Sequence, residues 1–277
     1  EMIKLLCCNP AKYIEPVLDS FHSVTAFSAT LKPFHFYREL SGFDEKCLFK
    51  EFPTSFPMEN RKIILIPQVS TTYKEREKHY EKIVAAIERI STLEKGHYVI
   101  YCPSFLFIEA LKDRLNIDDK EIDIFQQVPR MSSEELAEIS QRWSEPDRFS
   151  LTFAVQGGGL AEGIDIDSEH FKGVFIVGPA LPQYNFERDI LCRYYNEKYN
   201  NGFNYAYIYP AMAKSIQAAG RVIRSERKRG VIILLGRRFL FKEYSAAMPS
   251  YWFKKDIKEL ATSGILNDVK SFWGILK

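Results

Sequence analysis

Short apolar runs alternate with amphipathic helical stretches along most of this 277-residue chain. Such runs predict buried strands, and they lie at residues 24–28, 63–66, 98–102, 122–125, 151–155, 174–177 and 231–235. Strands that alternate with helices are joined by crossover connections, which favour a parallel sheet covered by helices on both faces. The pattern therefore predicts an α/β fold with about six strands.

Helical spacing of apolar residues fills most of the intervals between these runs. It predicts helices at residues 73–90, 105–115, 132–143 and 185–199, the third opening with Ser132 and Glu135 at capping-box spacing. Residues 47–52 are a further strand candidate. Residues 239–277 are mixed and aromatic, and we expect a helical extension that packs on the edge of the sheet. Since no repeat or low-complexity linker interrupts the sequence, we expect one domain over residues 1–277.

Residues 217–224, which read Gln-Ala-Ala-Gly-Arg-Val-Ile-Arg, carry three polar side chains at helical spacing, here called the polar comb. Gln217, Arg221 and Arg224 are four and three residues apart, so they project from one side of a helix. The neighbouring stripe is apolar and can pack on a sheet, while Gly220 leaves room for a close approach. A guanidinium offers a fork of donors that matches phosphate oxygens. The comb therefore suits a phosphate-bearing ligand, although a solvated basic helix end gives the same pattern.

Polar or glycine-rich segments follow three predicted strands, and ligands of open parallel sheets bind beyond the carboxyl ends of the strands. The segments are Ser28-Ala29-Thr30, Pro103-Ser104 and Gly157-Gly158-Gly159. The comb, just before the last strand, is counted as a fourth position. Bare glycine amides approach phosphate or sugar oxygens closely, and Glu162, Gly163 and Asp165 continue this glycine run. A flexible turn and two solvated acids are the alternative interpretation.

Charge and cysteine content narrow the possible classes. Lys and Arg total 38 against 36 Asp and Glu, so the net charge of +2 does not by itself indicate nucleic acid. The stretch 221–238 is nevertheless locally basic, with Glu226 as its one acid. Five cysteines without a C-x-x-C spacing argue against a disulfide framework and a zinc site, so no metal ligands are assigned. We therefore expect a reducing compartment, the cytoplasm or a eukaryotic nucleus. Because no apolar run could span a bilayer, we expect no membrane partner.

Taken in order, these segments resemble the second motor domain of superfamily 2 helicases, and more narrowly the DinG and XPD branch. The motifs are Ser-Ala-Thr at 28–30, Pro-Ser at 103–104, Gly-x-x-Glu-Gly-Ile-Asp at 159–165 and Gln-x-x-Gly-Arg-x-x-Arg at 217–224. Further matches are Phe-Pro-x-x-Asn-Arg at 56–61, Ser-Thr-Thr-Tyr-x-x-Arg at 70–76 and Tyr-Pro-Ala-Met at 209–212. The similarity covers nearly the whole chain. It implies a RecA-like fold and, for the whole protein, ATP-dependent DNA helicase activity.

The resemblance implies nucleotide-binding roles for the comb and for the segment after the glycine run. Arg221 and Arg224, with Gln217, correspond to the sixth helicase motif, whose arginines reach the nucleotide phosphates across the cleft between two motor domains. This is the arginine-finger role in phosphoryl transfer. The fifth motif, which touches nucleotide and DNA, corresponds to Glu162, Gly163 and Asp165.

The resemblance also implies residues for DNA contact and for coupling. Ser104 stands at the fourth-motif position, where a contact with a backbone phosphate is expected. Gly157 and Gly158 are expected to contact the DNA through their bare amides. Ser28 and Thr30 correspond to the third motif, which couples nucleotide to DNA. Single-stranded DNA is accordingly the expected nucleic-acid partner.

Two departures from the family pattern lie near the last predicted strand. Lys228 stands where the family usually has an Asp, before the glycine that precedes this strand. After the strand, Gly236-Arg237-Arg238 replaces the usual Asp-x-Arg. Both changes make the local surface more basic, which favours a contact with a DNA backbone.

The sequence lacks the parts that hold ATP in such motors. No Gly-x-x-x-x-Gly-Lys-Ser/Thr occurs, and Asp44-Glu45 lies in a polar segment instead of ending an apolar strand. The resemblance implies that ATP and Mg²⁺ are bound mainly by an N-terminal motor domain in cis, and that an iron-sulfur cluster typical of the XPD branch belongs to that half. A chain that opens on Glu1 is expected to be a piece of a longer protein, inactive alone.

Two other interpretations stay open at this point. The chain could be a non-catalytic nucleic-acid or partner-binding module that kept the fold without its ATPase partner. Alternatively, exposed aromatics at Tyr251, Trp252 and Phe253 could dock a regulatory protein, although packing of a C-terminal helix explains them as well.

Overall fold

A central parallel sheet organises the structure, a computed structural model that describes residues 3–117, 122–146, 148–161, 168–222 and 225–275. Its strands are β1 Arg61–Ile66, β2 His97–Cys102, β3 Ile122–Gln126, β4 Phe149–Val155, β5 Phe171–Val177 and β6 Gly230–Leu235. They lie in the order β1-β6-β5-β2-β4-β3, and every pairing is parallel. The predicted parallel α/β sheet is confirmed.

The central strands are buried on both faces. In β2, Val99 and Tyr101 point into one apolar cluster, while Tyr98 and Ile100 point into the other, and all four are at most 1% exposed. Strands covered on both sides carry continuous apolar runs because no face needs polar residues. This explains why the sequence pattern located all six strands.

Helices cover both faces of the sheet, as predicted. Those described are α1 Ala11–Leu18, α2 Phe34–Ser41, α3 Tyr80–Ser91, α4 Phe105–Lys112, α5 Ser133–Arg142, α6 Phe186–Tyr199, α7 Tyr209–Ala219, α8 Lys242–Ser245 and α9 Ile265–Trp273. One apolar cluster joins the sheet to α3, α4 and α9, and the other joins it to α2, α5, α6 and α7. The Ser132 capping box at the start of α5 is confirmed. None of the described helices combines the length and apolar character that a bilayer-spanning segment requires.

Two strand predictions are wrong, because residues 24–28 and 47–52 form no regular structure. Val24 and Phe27 are 40% and 90% exposed, and both segments line one open cavity of about 340 Å³. A strand needs a free edge to pair with. The outer side of β1 is instead met by the C-terminal segment, where Ala261 forms a parallel bridge with Leu65. The apolar character of a segment does not determine which segment pairs with the edge of the sheet.

Helix boundaries shift at two places. The predicted helix 73–90 begins only at Tyr80, after a 3₁₀ turn at Arg76–His79, and α4 ends at Lys112. Glu75 accepts hydrogen bonds from the hydroxyls of Ser70 and Thr72, which favour a turn over an earlier helix start. The extension after residue 239 does pack at the sheet edge as predicted, since α9 contacts β1 and α3 and buries Val269.

Candidate functional site

The comb lies at the end of α7. This helix follows one turn of π-helix at Asn204–Ile208 and carries Pro210 near its start, where a missing N–H has no cost. It ends at Ala219, with Gly220 as C-cap, so the prediction of one helix through residue 224 is wrong. Arg221 lies in the following turn, where its amide donates to the Ala218 carbonyl at 3.3 Å. Arg224 lies outside the described residues.

The two sides of the comb differ as the spacing predicted. Ile216 and Ala219 are buried on the sheet, whereas Gln217 is exposed and Arg221 is half-buried. Gly220 is exposed, and a methyl group there would find its nearest non-local atom, the Ile216 carbonyl oxygen, at 3.4 Å. The fold itself therefore leaves the space beside Gly220 free.

An open cavity of about 640 Å³ brings three predicted residues together: Thr30, Gln217 and Arg221 all line it. Arg61, the first residue of β1, lines it as well, although the sequence assigned no role to this residue. The only hint was its place at the end of the Phe-Pro-x-x-Asn-Arg match. Because two guanidiniums share one concave surface, the cavity suits an anionic ligand.

The Arg221 guanidinium is held by the loop after the glycine run. Its Nε and Nη2 donate to the Ala161 carbonyl oxygen at 3.1 and 2.7 Å. Ala161 directly precedes Glu162, Gly163 and Asp165, all of which lie outside the described residues. Arg221 thus contacts the residue that directly precedes this segment.

Arg61 is fixed by the C-terminal extension. Its guanidinium lies 4.6 Å from the ring centroid of Tyr251, and its Nη2 lies 2.7 Å from Met58 Sδ and 3.5 Å from the Tyr251 carbonyl oxygen. Burial lowers the pKa of Arg61 from its ordinary 12.5, yet arginine stays protonated near neutrality. A partly desolvated cation attracts an anion more strongly than a hydrated one does.

Of the two residues predicted to couple nucleotide to DNA, Thr30 lines this cavity. Thr30 is buried, and its amide lies 3.3 Å from Ser28 Oγ, while the two hydroxyls are 3.4 Å apart. Ser28 itself is exposed and lines the neighbouring 340 Å³ cavity instead. Of Ser28 and Thr30, only Thr30 lines the cavity that the comb residues also line.

Ser104, Gly157 and Gly158 lie together at a second place, the carboxyl edge of the sheet. Cys102 and Val155 are register partners at the ends of β2 and β4, which brings the segments that follow them side by side. Ser104 is the N-cap of α4 and accepts a hydrogen bond from the Phe107 amide at 3.3 Å. The four predicted positions therefore form two sites. Ser104 and the glycine run form one, whereas the comb and Thr30 line the cavity that includes Arg61, the first residue of β1.

A buried polar chain links the carboxyl edge to α7. Ser215 Oγ donates to Gln156 Oε1 at 2.7 Å, and Gln156 Nε2 donates to the carbonyl oxygens of Tyr101 and Gly178 at 3.2 and 2.8 Å. Gln156 immediately precedes Gly157. This contact could not be predicted from local patterns, because the two segments are 59 residues apart.

A third polar cluster, unassigned by the sequence, joins the ends of β1 and β6. Arg238 donates to Thr71 Oγ1 at 2.8 Å, and Arg237 pairs with Glu75. Burial lowers the pKa of Arg238. The two arginines that depart from the family pattern are therefore held by the Ser-Thr-Thr segment, and they do not project freely as the basic surface that we expected.

Two further sequence expectations change in the structure. Trp252 is 8% exposed, and Tyr251 and Phe253 pack against the same apolar cluster, so these aromatics are not an exposed docking surface. Lys228 is buried, with its ammonium 5.0 Å from the ring centroid of Phe171. It therefore adds little to a basic surface.

The part of the chain that the structure describes contains no group of metal ligands, and its cysteines form no disulfide bond. No three His, Cys, Asp or Glu side chains gather there into a group that could hold a metal ion. All five cysteines are free thiols. Burial raises the pKa of the Cys102 thiol far above its usual range, so this residue is inert.

Comparison with known proteins bears on this architecture. The sequence profile of the family described as "Helicase C-terminal domain" matches residues 87–255. The chain is 23% identical to the general transcription and DNA repair factor IIH helicase subunit XPD/RAD3 of Saccharomyces cerevisiae, over 98% of this chain and 37% of that protein. It is also 23% identical to the 3'-5' exonuclease DinG of Staphylococcus aureus, over 82% of this chain and 25% of that protein. A solved XPD helicase structure superposes with a TM-score of 0.69 at 20% identity, over 87% of this chain and 43% of that one.

The parallel sheet and its structural likeness define the class of this protein, a RecA-like helicase motor fold of the α/β type. The helicase profile spans more than half of the sequence, so the chain belongs to the helicase C-terminal domain family, in its DinG/XPD branch. The chain spans two fifths or less of the length of these curated relatives.

Proposed function

We propose that residues 1–277 are the C-terminal motor domain of an ATP-dependent helicase that translocates on single-stranded DNA. An N-terminal motor domain in cis would hold the phosphate loop and most of the ATP and Mg²⁺ contacts. The observation that carries this proposal is the 640 Å³ cavity, because it gathers Gln217, Arg221, Arg61 and Thr30 on one concave surface. The family membership of the chain supports it.

In this proposal the cavity faces the nucleotide held by the other motor domain. Arg221 and Arg224 neutralise charge that develops on the phosphoryl oxygens during hydrolysis, while Arg61 and Gln217 orient the phosphates. Glu162, Gly163 and Asp165 continue from Ala161, whose carbonyl already holds Arg221, and contact nucleotide and DNA. Since no metal-holding group occurs among the described residues, we assign no magnesium ligand to them.

The carboxyl edge would hold the DNA backbone through Ser104, Gly157 and Gly158. Backbone contacts of this kind read charge and shape, so binding is salt-dependent and largely independent of sequence. Thr30 would transmit the state of the nucleotide cavity, and Ser28 would act only through Thr30. Closure of the cleft on ATP and its opening after hydrolysis would then move the two motor domains along the strand.

The test is DNA-stimulated ATP hydrolysis by the full-length protein. Arg224→Ala and Arg221→Lys should each lower kcat by roughly 10³-fold, the usual effect of losing an arginine finger. The lysine variant keeps a charge beside Ala161 but loses the fork of donors. The control is Arg193→Ala, which removes a 63% exposed side chain that pairs with Asp189 at 3.2 Å on the same helix.

The two possible outcomes are distinct. If kcat falls in both comb variants while the melting temperature and the Arg193→Ala rate stay unchanged, the finger assignment holds. Unchanged turnover in Arg224→Ala would refute it. A full-length protein without any ATPase activity would instead favour the second candidate function, a nucleic-acid-binding module without a motor.

A further inference from the structure

We propose that Gln127 and Lys214 complete a cradle for one phosphoryl group over the glycine run Gly157–Gly159. No motif singled out these two residues. The inference deepens the proposed function and rests on it for the identity of the ligand, a phosphate of a single-stranded DNA backbone. The cradle itself is argued from donors that face one place and lack acceptors among the described residues.

The glycine run supplies the floor of the cradle. Gly157 has a φ of 74°, a left-handed conformation that glycine adopts without strain. The Gly158 amide is used, because it donates to the Val155 carbonyl at 2.9 Å. Within the described residues, the amides of Gly157 and Gly159 donate to no backbone carbonyl. Successive bare amides in such a turn form a concave surface that binds anions.

Gln127 supplies a buried donor above Gly158. Its side-chain Oε1 accepts a hydrogen bond from the Val155 amide at 3.1 Å, and its main-chain amide donates to the Phe153 carbonyl at 2.8 Å. The first bond holds the side chain and the second holds the backbone, so Nε2 lies 2.7 Å from where a Cβ at Gly158 would be. Gln127 is only 6% exposed, yet this NH₂ group meets no acceptor among the residues described. Its Nε2 atom is accessible to solvent, so it can donate to an acceptor that lies over the glycine run.

Lys214 supplies the charge. It is exposed on α7, and its Nζ lies 3.0 Å from where a Cβ at Gly157 would be. Within the described residues Lys214 forms no ion pair, although its ammonium lies directly over the glycine run. Its helix is anchored next to the site by the Ser215 bond to Gln156. A lysine placed by that contact has less freedom than an ordinary surface lysine, so less entropy is lost on binding.

The contributed groups are all donors: an ammonium, a side-chain amide and two main-chain amides. A ligand that satisfies them must be an acceptor with several oxygens and negative charge, which describes a phosphoryl group. A DNA backbone phosphodiester and a free nucleotide phosphate share this chemistry. The position at the carboxyl edge beside Ser104, outside the lining of the 640 Å³ cavity, favours the backbone.

The first experiment measures the affinity of the 277-residue chain for fluorescent oligothymidine by anisotropy across a salt series. Lys214→Gln should weaken binding about tenfold, because a hydrogen bond to a charged group is lost. It should also make the slope of log K against log[salt] shallower by about 0.7, the value for one phosphate contact on a single strand. The matched control, Lys82→Gln, removes an exposed lysine from α3 on the opposite face of the sheet and should change neither quantity.

The second experiment tests the buried amide. Gln127→Glu keeps an oxygen for the Val155 amide but replaces the NH₂ donor by an acceptor, so DNA binding should weaken by at least tenfold. In ¹⁵N-labelled unmodified chain, the Gln127 side-chain NH₂ resonance, identified by its loss in Gln127→Glu, should shift on addition of oligothymidine. ATP and inorganic pyrophosphate are added separately to distinguish the source of the phosphate.

The outcomes separate this inference from the proposed function. Affinity and salt slope unchanged in Lys214→Gln, or an NH₂ resonance that moves with none of the three ligands, would overturn the cradle while leaving DNA binding by the chain intact. A resonance that moves with ATP or pyrophosphate, in a chain that does not bind oligothymidine, supports the cradle and refutes the DNA role in the proposed function.

Discussion

Glu75, a single half-buried residue, connects two segments at the carboxyl edge of the sheet. Its Oε2 accepts hydrogen bonds from Ser70 at 2.7 Å and Thr72 at 3.1 Å, and it pairs with Arg237 after β6. Hydrogen bonds from Ser70, Arg237 and Thr72, in that order, lower the pKa of Glu75 from its ordinary 4.5 to about 2. One carboxylate thus connects the segments after two neighbouring strands.

The lowered pKa of Glu75 predicts a pH-dependent stability. Because the folded state binds this proton less tightly than the unfolded state, the contribution is complete above the unfolded pKa of 4.5 and is lost as pH falls toward about 2. Glu75→Gln should therefore lower the melting temperature at neutral pH, and the difference from the unmodified chain should close between about pH 5 and about pH 2.

The control for this measurement is Glu77→Gln, which removes an exposed carboxylate two residues further along. It should produce no comparable pH-dependent difference in melting temperature. A Glu75→Gln difference that persists at about pH 2 would show that the carboxylate charge is not what stabilises this edge.

Ser104 performs a structural task that overlaps with its proposed contact. As the N-cap of α4 it satisfies the Phe107 amide, and the same hydroxyl faces the edge proposed for DNA. Two substitutions separate these tasks. Ser104→Ala removes the cap and should lower the free energy of unfolding by about 1 kcal/mol.

Ser104→Asp keeps a good cap and adds negative charge at the helix N-terminus, so the free energy of unfolding should be unchanged or higher. The same carboxylate would repel a backbone phosphate, so affinity for oligothymidine should fall more in Ser104→Asp than in Ser104→Ala. Denaturant unfolding and anisotropy measure the two quantities. Equal affinity in both variants would remove Ser104 from the proposed DNA contact.

At the scale of helices and strands, local patterns predicted the elements that depend on local properties. The central strands β2, β4, β5 and β6 are buried on both faces, and this burial shows directly in their composition, whereas the edge strand β3 is only half-buried. The runs at 24–28 and 47–52 have similar composition but no partner strand, and pairing is a non-local property. Likewise, the sequence could place the comb on α7 but could not show that this helix ends at Ala219.

The candidate sites follow the same division. Motif order predicted Gln217, Arg221 and Thr30, which the structure brings to one cavity, and Ser104, Gly157 and Gly158, which lie together elsewhere. Arg61, Gln127 and Lys214 could not be predicted, because strand order and the path of α7 bring them into place. Gln127 follows β3, which lies beside β4 only through a crossover in the sheet.

In the whole molecule, the second half of α7 contacts both candidate sites. Lys214 and Ser215 lie at the glycine run on the carboxyl edge, whereas Gln217 and Arg221 line the cavity that includes the start of β1. Lys214 and Gln217 are three residues apart, about 4.5 Å along the helix axis, so one turn of α7 connects the two sites. A rigid element that touches both sites can carry coupling between them if its position differs between states.

The hydrogen bond from Ser215 to Gln156 joins α7 to the segment that carries the glycine run. We therefore predict that Ser215→Ala reduces the coupling between the two sites. In the full-length protein, the affinity for single-stranded DNA is measured with and without a non-hydrolysable ATP analogue. The ratio of the two affinities should fall roughly fivefold, while ATP hydrolysis in the absence of DNA stays unchanged.

The control is Ser140→Ala, which removes a hydroxyl that donates within α5, to the Ala137 carbonyl at 2.8 Å. Because linkage is reciprocal, DNA should also raise the affinity for the analogue less in Ser215→Ala than in the control. An unchanged ratio in Ser215→Ala would show that the two sites communicate by a route other than this contact.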